Sequence, residues 1–76
     1  MEQRIMEILN DICGAQPGEL EMNVDLFETG LLDSFGVVQL LVALEEQLQV
    51  VLDIESISRE EIATPAKLIR RAEAAK

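Results

Sequence analysis

The sequence predicts an all-α fold, a small four-helix bundle with a long loop between its first two helices. Apolar side chains recur at helical spacing over residues 2–13 and again over residues 34–48. A threonine-proline pair at 64–65 is a strong signal for the start of another helix. A chain of 76 residues can bury one modest core, so we expect residues 1–76 to form a single domain.

The first helix is expected from Glu2 to Cys13, because its apolar positions fall on one face and its charged positions on the other. Gly14 follows the last periodic residue and is expected to end the helix. Cys13 falls on the apolar face, where a buried small hydrophobic residue is the ordinary interpretation.

Residues 15–33 show no sustained period and carry turn signals at Pro17–Gly18 and Gly30. Loops of this length in a compact domain are functional or packed on themselves, and the many apolar residues predict that this one lies on the core. Asp25 is expected to cap a short turn that Gly30 ends. We expect Phe27 to fill the core beneath the loop.

Asp33 precedes the strongest helical pattern, which runs to about Leu48. At about 100° per residue, the apolar positions of this helix fall into two stripes. The expected core stripe consists of Val37, Leu40, Leu41, Leu44 and Leu48. The second stripe flanks Ser34 and is surplus to that core, unless the long loop covers it; it consists of Phe35, Val38 and Val42.

The remaining elements follow an apolar connector at 50–57. Ser58 and Glu61 have the spacing of a capping box, which predicts a short helical turn. Thr64 and Pro65 then start the last helix, whose inward residues are expected to be Leu68, Ile69 and Ala72.

Composition excludes several classes of function. The chain has 15 acidic and 6 basic residues, a net charge of −9, so nucleic acids and anionic membranes would be repelled and basic protein partners favoured. With no histidine and one cysteine, it can form neither a histidine-containing triad nor a cysteine-rich metal site, and we expect no metal. No apolar run reaches about 18 residues, so no membrane span is expected. We expect a cytoplasmic monomer.

Ser34 is the main candidate for chemistry. At the first turn of a long helix, several backbone N–H groups lack partners and the helix dipole favours negative charge. A phosphate esterified to Ser34 would be well accommodated there, with Asp33 as the helix cap. The simpler interpretation is that Asp33 and Ser34 only start a helix. The second apolar stripe favours a functional role, because an exposed apolar patch beside a reactive group suggests partner docking.

Residues 25–34, DLFETGLLDS, and the GVVQLL that follows at 36–41 resemble the phosphopantetheine attachment site of acyl and peptidyl carrier proteins. Among these they are most similar to the D-alanyl carriers of teichoic acid D-alanylation, and the similarity continues through Thr64–Ile69. The resemblance implies the acyl-carrier type of fold and 4'-phosphopantetheine on Ser34. It also implies that Asp33 helps to present the serine to a phosphopantetheinyl transferase, although capping alone would explain this residue.

The same resemblance implies a non-catalytic carrier that holds D-alanine as a thioester on the terminal thiol of the arm. A D-alanine–carrier ligase would load it through an aminoacyl-adenylate, and a membrane O-acyltransferase system would pass the D-alanine to teichoic acid. The docking candidates for these partners are Phe35, Val38 and Val42. Relatives often have methionine in place of Phe35 and a helix-ending glycine in place of Gln49, where glutamine would be strained if the backbone is left-handed.

Four alternatives compete with this interpretation, and the residues disfavour two of them. The first is a stand-alone peptidyl or aminoacyl carrier of a nonribosomal peptide pathway. A fatty acyl carrier is disfavoured, because residues 35–43 carry no charge where that family usually has acidic residues. An unmodified helical adaptor would leave Ser34 bare. An enzyme is the weakest interpretation, because only isolated carboxylates are available to activate a hydroxyl.

Overall fold

A computed structural model describes residues 2–16, 18–53 and 55–75 of the chain. The described residues form three α-helices and no strand: α1 (Glu2–Cys13), α2 (Ser34–Leu48) and α3 (Pro65–Ala75). A short 3-10 helix, Arg59–Ile62, precedes α3. The predicted all-α class is therefore confirmed. The count of four helices needs one correction, because the fourth element is a 3-10 turn of four residues that the start of α3 cuts short.

Helix α1 begins and ends where the sequence predicts. Gly14 has a φ of +69°, a left-handed conformation that glycine adopts without steric cost, and the Ala15 N–H donates to the Asn10 carbonyl across 2.9 Å. Cys13 is half-buried against the core. Burial raises the pKa of its thiol, so the thiol stays protonated at neutral pH and is a weak nucleophile.

The loop between α1 and α2 lies on the core, as predicted, and Leu26 anchors it. The Leu26 side chain is fully buried, and its N–H donates to the Ala63 carbonyl across 2.7 Å. Phe27 is only half-buried, so Leu26 fills the core where we expected Phe27. Asp25 accepts hydrogen bonds from the N–H groups of Phe27 and Glu28, and Gly30 follows with a φ of +77°.

The turn signal at Pro17–Gly18 is described only in part. Pro17 lies outside the described residues, and Gly18 lies in a turn with a φ of +88°. Of the connector at 50–57, Ile54 also lies outside the described residues. The others have no regular secondary structure, and Val50 and Leu52 are buried.

Helix α2 ends at an unusual residue. Gln49 has a φ of +57° and a ψ of +33°, the left-handed conformation that glycine usually provides at this position. Its N–H donates to the Glu45 carbonyl across 3.0 Å. The left-handed end expected from the sequence is therefore present, and a non-glycine residue occupies it at some cost in strain.

Two predicted caps organise the chain before α3. Ser58 and Glu61 form a complete capping box, and the hydrogen bond from the Ser58 N–H is the main reason that the pKa of the Glu61 carboxyl lies below its usual range. Thr64 Oγ1 accepts a hydrogen bond from the Lys67 N–H across 3.1 Å. Helix α3 then buries Leu68, Ile69 and Ala72, as predicted.

One apolar core joins these elements, because α1 packs against both α2 and α3 and the long loop lies across them. Its fully or almost fully buried large side chains are Ile5, Leu9, Leu26, Leu40, Leu44, Val50, Ile62 and Leu68. No helix in the described part of the chain is long and apolar enough to cross a membrane.

Candidate functional site

Ser34 is the first residue of α2, and its side chain is exposed. The preceding residue, Asp33, has an extended backbone and caps the helix, because its carboxylate accepts a hydrogen bond from the Gly36 N–H across 2.7 Å. The loop and the helix thus meet at the serine, and its hydroxyl faces solvent at that junction.

The backbone beside Ser34 suits an anion. Asp33 accepts a hydrogen bond from the Gly36 N–H with its carboxylate and one from the Val37 N–H with its backbone carbonyl. Within the described residues, the N–H groups of Ser34 and Phe35 have no acceptor. These free donors and the positive end of the helix dipole lie where a phosphate ester on the Ser34 oxygen would place its negative charge, so the residues present fit such a group.

Gly36 is a contributor to the site that the sequence interpretation missed. A Cβ atom added to this buried glycine would lie 2.9 Å from Leu32 Cδ1 and 3.3 Å from Asp33 Oδ1. Leu32 is itself buried. The absence of a side chain at Gly36 therefore allows Leu32 and the capping carboxylate to pack closely under the first turn. Glycine inside a helical pattern was the available signal, because it has a cost that packing must offset.

The second apolar stripe of α2 is exposed, and the long loop does not cover it. The exposed fractions are 70% for Phe35, 47% for Val38 and 49% for Val42. Of the expected core stripe, Leu40 and Leu44 are fully buried. The other three, Val37, Leu41 and Leu48, are half-buried against the core. A patch of this kind beside a reactive side chain indicates contact with another molecule.

Val51 extends this patch, which the sequence interpretation did not include. It is 66% exposed and lines a groove of about 500 Å³ together with Val38 and Val42. Two carboxylate residues, Glu45 and Asp53, also line the groove. We call Phe35, Val38, Val42 and Val51 the apolar patch. The groove beside it is lined by both apolar side chains and carboxylates.

The described residues bring together no group of three or more side chains that could hold a metal ion. Asp33 and Ser34 form the start of α2, and the patch residues Phe35, Val38 and Val42 continue from them along one side of the helix. The site is thus a hydroxyl at a helix start with an apolar surface next to it.

The chain matches one protein family and is similar to several known carrier proteins. The family described as "Phosphopantetheine attachment site" matches residues 3–72. A D-alanyl carrier protein from Latilactobacillus sakei is 43% identical over 72 residues, which are 95% of this chain and 92% of that protein. D-alanyl carrier proteins from Bacillus mycoides and Bacillus cereus are each 38% identical, over 95% of this chain and 91% of their own lengths.

A solved structure also matches. The solution structure of a holo acyl carrier protein from Nitrosomonas europaea superimposes with a TM-score of 0.77 and 28% sequence identity. The match covers 96% of this chain and 92% of the other.

Proposed function

Because the chain belongs to the family of carrier proteins with a phosphopantetheine attachment site, we propose that Ser34 carries this prosthetic group and that D-alanine is its cargo. The observation that carries the attachment site is the exposed Ser34 hydroxyl at the capped start of α2, beside free backbone N–H groups. The cargo is supported by three relatives at 38–43% identity, which are D-alanyl carrier proteins. When bound, the group supplies a terminal thiol that can hold an amino acid as a thioester.

The chain's own residues have a tethering role in this proposal. Ser34 provides the oxygen for the phosphodiester bond, and the helix start stabilises the negative charge. Asp33 fixes the first turn through its bond to Gly36 and thereby presents the serine to a phosphopantetheinyl transferase. No side chain near Ser34 needs to act as an acid or base, because the transferring partners supply the chemistry.

We further propose that a D-alanine–carrier ligase loads the protein and that a membrane O-acyltransferase system receives the D-alanine for teichoic acid. In these two reactions the chain is a substrate of each partner and not a catalyst. Its net charge of −9 suits transient association with basic surfaces of such partners, because opposite charge accelerates encounter.

The apolar patch is the proposed docking surface for the ligase. Val38, Val42 and Val51 line one groove, and Val38 follows Ser34 by one turn of α2. Glu45 and Asp53 at the groove favour a partner that inserts an apolar side chain flanked by lysine or arginine. A ligase must reach the end of an arm tethered at Ser34, so a surface adjacent to Ser34 is where it would bind.

Loading of the modified protein tests this function. The holo protein is incubated with ATP, a D-alanine–carrier ligase and either D-alanine or a panel of other amino acids, and intact mass is recorded. The proposal expects a mass gain of one alanyl group with D-alanine, removed by hydroxylamine as expected for a thioester. Loading of a different amino acid by an adenylation enzyme, with none by this ligase, would replace the D-alanine assignment with that of a peptidyl or aminoacyl carrier.

A further inference from the structure

A small cleft opens beside Ser34, and none of the apolar patch residues lines it. Its volume is about 170 Å³, and it is lined by Phe27, Ser34, Val37, Ile57, Arg59 and Ile62. Apart from Ser34 and Arg59, all of these side chains are apolar. The cleft therefore combines the proposed attachment point, an apolar wall and one cation.

Arg59 is held over this cleft by an aromatic ring. Its guanidinium carbon lies 4.4 Å from the centroid of the Phe27 ring, which is the geometry of a cation–π contact. Within the described residues, Arg59 forms no salt bridge, although the chain has 15 acidic residues and 6 basic ones. Because Arg59 lines the same cleft as Ser34 and has no carboxylate partner among the described residues, its charge is available to an anion at the attachment point.

We propose that this cleft binds the proximal part of the phosphopantetheine arm on the carrier itself. In that part of the arm, the phosphodiester is joined through one methylene to a carbon that bears two methyl groups. Arg59 pairs with the phosphodiester, and the apolar wall of Phe27, Val37 and Ile57 receives the two methyl groups. Arg59 is thus a positioning residue for the arm, and this inference rests on the proposed attachment to Ser34.

The dimensions of the cleft support this assignment to the proximal arm only. An apolar cavity of about 150 Å³ holds a molecule of the size of benzene. A cleft of about 170 Å³ therefore suits a compact branched group and not the whole arm. The distal part, with its thiol, stays free to reach a partner. Fixing the proximal part reduces the conformational entropy that the arm loses when a partner binds its end.

Nuclear magnetic resonance of the holo protein tests the proposal directly. The arm is labelled with carbon-13 at its two methyl groups, and complete modification is first verified by intact mass, so that failure of attachment is recognised separately. We expect nuclear Overhauser effects from these methyl groups to the methyl groups of Val37 and Ile57. We also expect the labelled resonances to shift away from those of free phosphopantetheine.

Three variants assign the role of the cation. Arg59→Gln should lose these Overhauser effects, and Arg59→Lys should retain part of them because its charge remains. Arg70→Gln is the matched control, since Arg70 is exposed on α3 and lines a different cleft. Amide spectra of the apo forms verify that each variant is folded.

Two results would overturn the proposal. Labelled methyl resonances that coincide with those of free phosphopantetheine in the modified parent protein would show that the arm does not dock. Overhauser effects of equal strength in the parent and in Arg59→Gln would show that the guanidinium does not position the arm. If the arm is free and Arg59→Gln instead weakens binding of the ligase, Arg59 belongs to the docking surface for that partner.

Discussion

The carboxylate of Asp33 accepts a hydrogen bond from the backbone N–H of Gly36 across 2.7 Å. This bond fixes the first turn of α2 and therefore the direction in which Ser34 leaves the backbone. The missing side chain at Gly36 leaves room for this bond, because a Cβ atom there would lie 3.3 Å from the same carboxylate oxygen, closer than most such contacts. The start of α2 is thus built as one unit by two neighbours of the proposed attachment serine.

Two substitutions of Asp33 distinguish its role as the cap of α2 from its proposed role in presenting Ser34 to the transferase. Asp33→Ala removes the cap and should lower the free energy of unfolding by about 1 kcal/mol, measured by urea denaturation. Asp33→Asn should keep most of that stability, because asparagine caps helices about as well as aspartate. An Asp33→Ala midpoint equal to that of the parent would contradict the capping role. A slower rate of modification in the stable Asp33→Asn variant would support a role of the charge in presenting Ser34.

Gln49→Gly should stabilise the protein by about 0.5–1 kcal/mol, because glycine relieves the left-handed strain at the end of α2 but has more freedom to lose on folding. Gln39→Gly is the matched control, since the same change within α2 should cost about 1 kcal/mol. Both values come from urea denaturation. Loss of stability in both variants would mean that Gln49 makes a contribution that outweighs its backbone strain.

Leu26→Ala should destabilise the fold by about 2–5 kcal/mol, because this side chain is fully buried and anchors the long loop. Phe27→Ala should cost less than the roughly 3–5 kcal/mol typical of a buried phenylalanine, since Phe27 is half-buried. Chemical denaturation of the two variants side by side checks this order. A greater loss in Phe27→Ala would show that Phe27, rather than Leu26, is the anchor of the loop.

Val42→Asp should leave the fold intact and impair loading by the ligase. Val42 is 49% exposed, so a carboxylate there remains hydrated, but it places a charge in the apolar patch. Circular dichroism checks that the variant is folded, and the initial rate of D-alanine loading reports docking. We expect this rate to fall at least tenfold, which corresponds to a loss of about 1.4 kcal/mol of interaction with the ligase. Gln3→Asp adds the same charge to an exposed position on α1 and serves as the control. Equal loading rates for Val42→Asp and the parent would remove Val42 from the docking surface.

Local signals predicted much of this fold, and long-range packing explains what they missed. Gly14, Asp33 and the Thr64–Pro65 pair mark helix ends through interactions within a few residues, so these boundaries could be read from the sequence. The choice of Leu26 over Phe27 as the buried anchor depends on contacts with Ala63, far along the chain. No local pattern contains such a contact.

Some residues of the candidate site could likewise be predicted from local sequence, whereas others could not. Ser34 and its cap were predictable from the motif and the start of the helix. The exposure of Val42 required knowing that the loop packs elsewhere, because α2 is apolar on two faces. Val51 and Arg59 come from segments that reach the site only in the folded chain, Val51 across a groove from α2 and Arg59 through its contact with Phe27.

The most direct test of the central claim is the intact mass of the protein after incubation with coenzyme A and a broad-specificity phosphopantetheinyl transferase. The account predicts a gain of one phosphopantetheine in the parent and in Ser56→Ala, a control at another exposed serine, and no gain in Ser34→Ala. A folded parent that gains no mass while the transferase modifies a known carrier, or a Ser34→Ala variant that still gains it, would contradict the assignment of Ser34 as the tether.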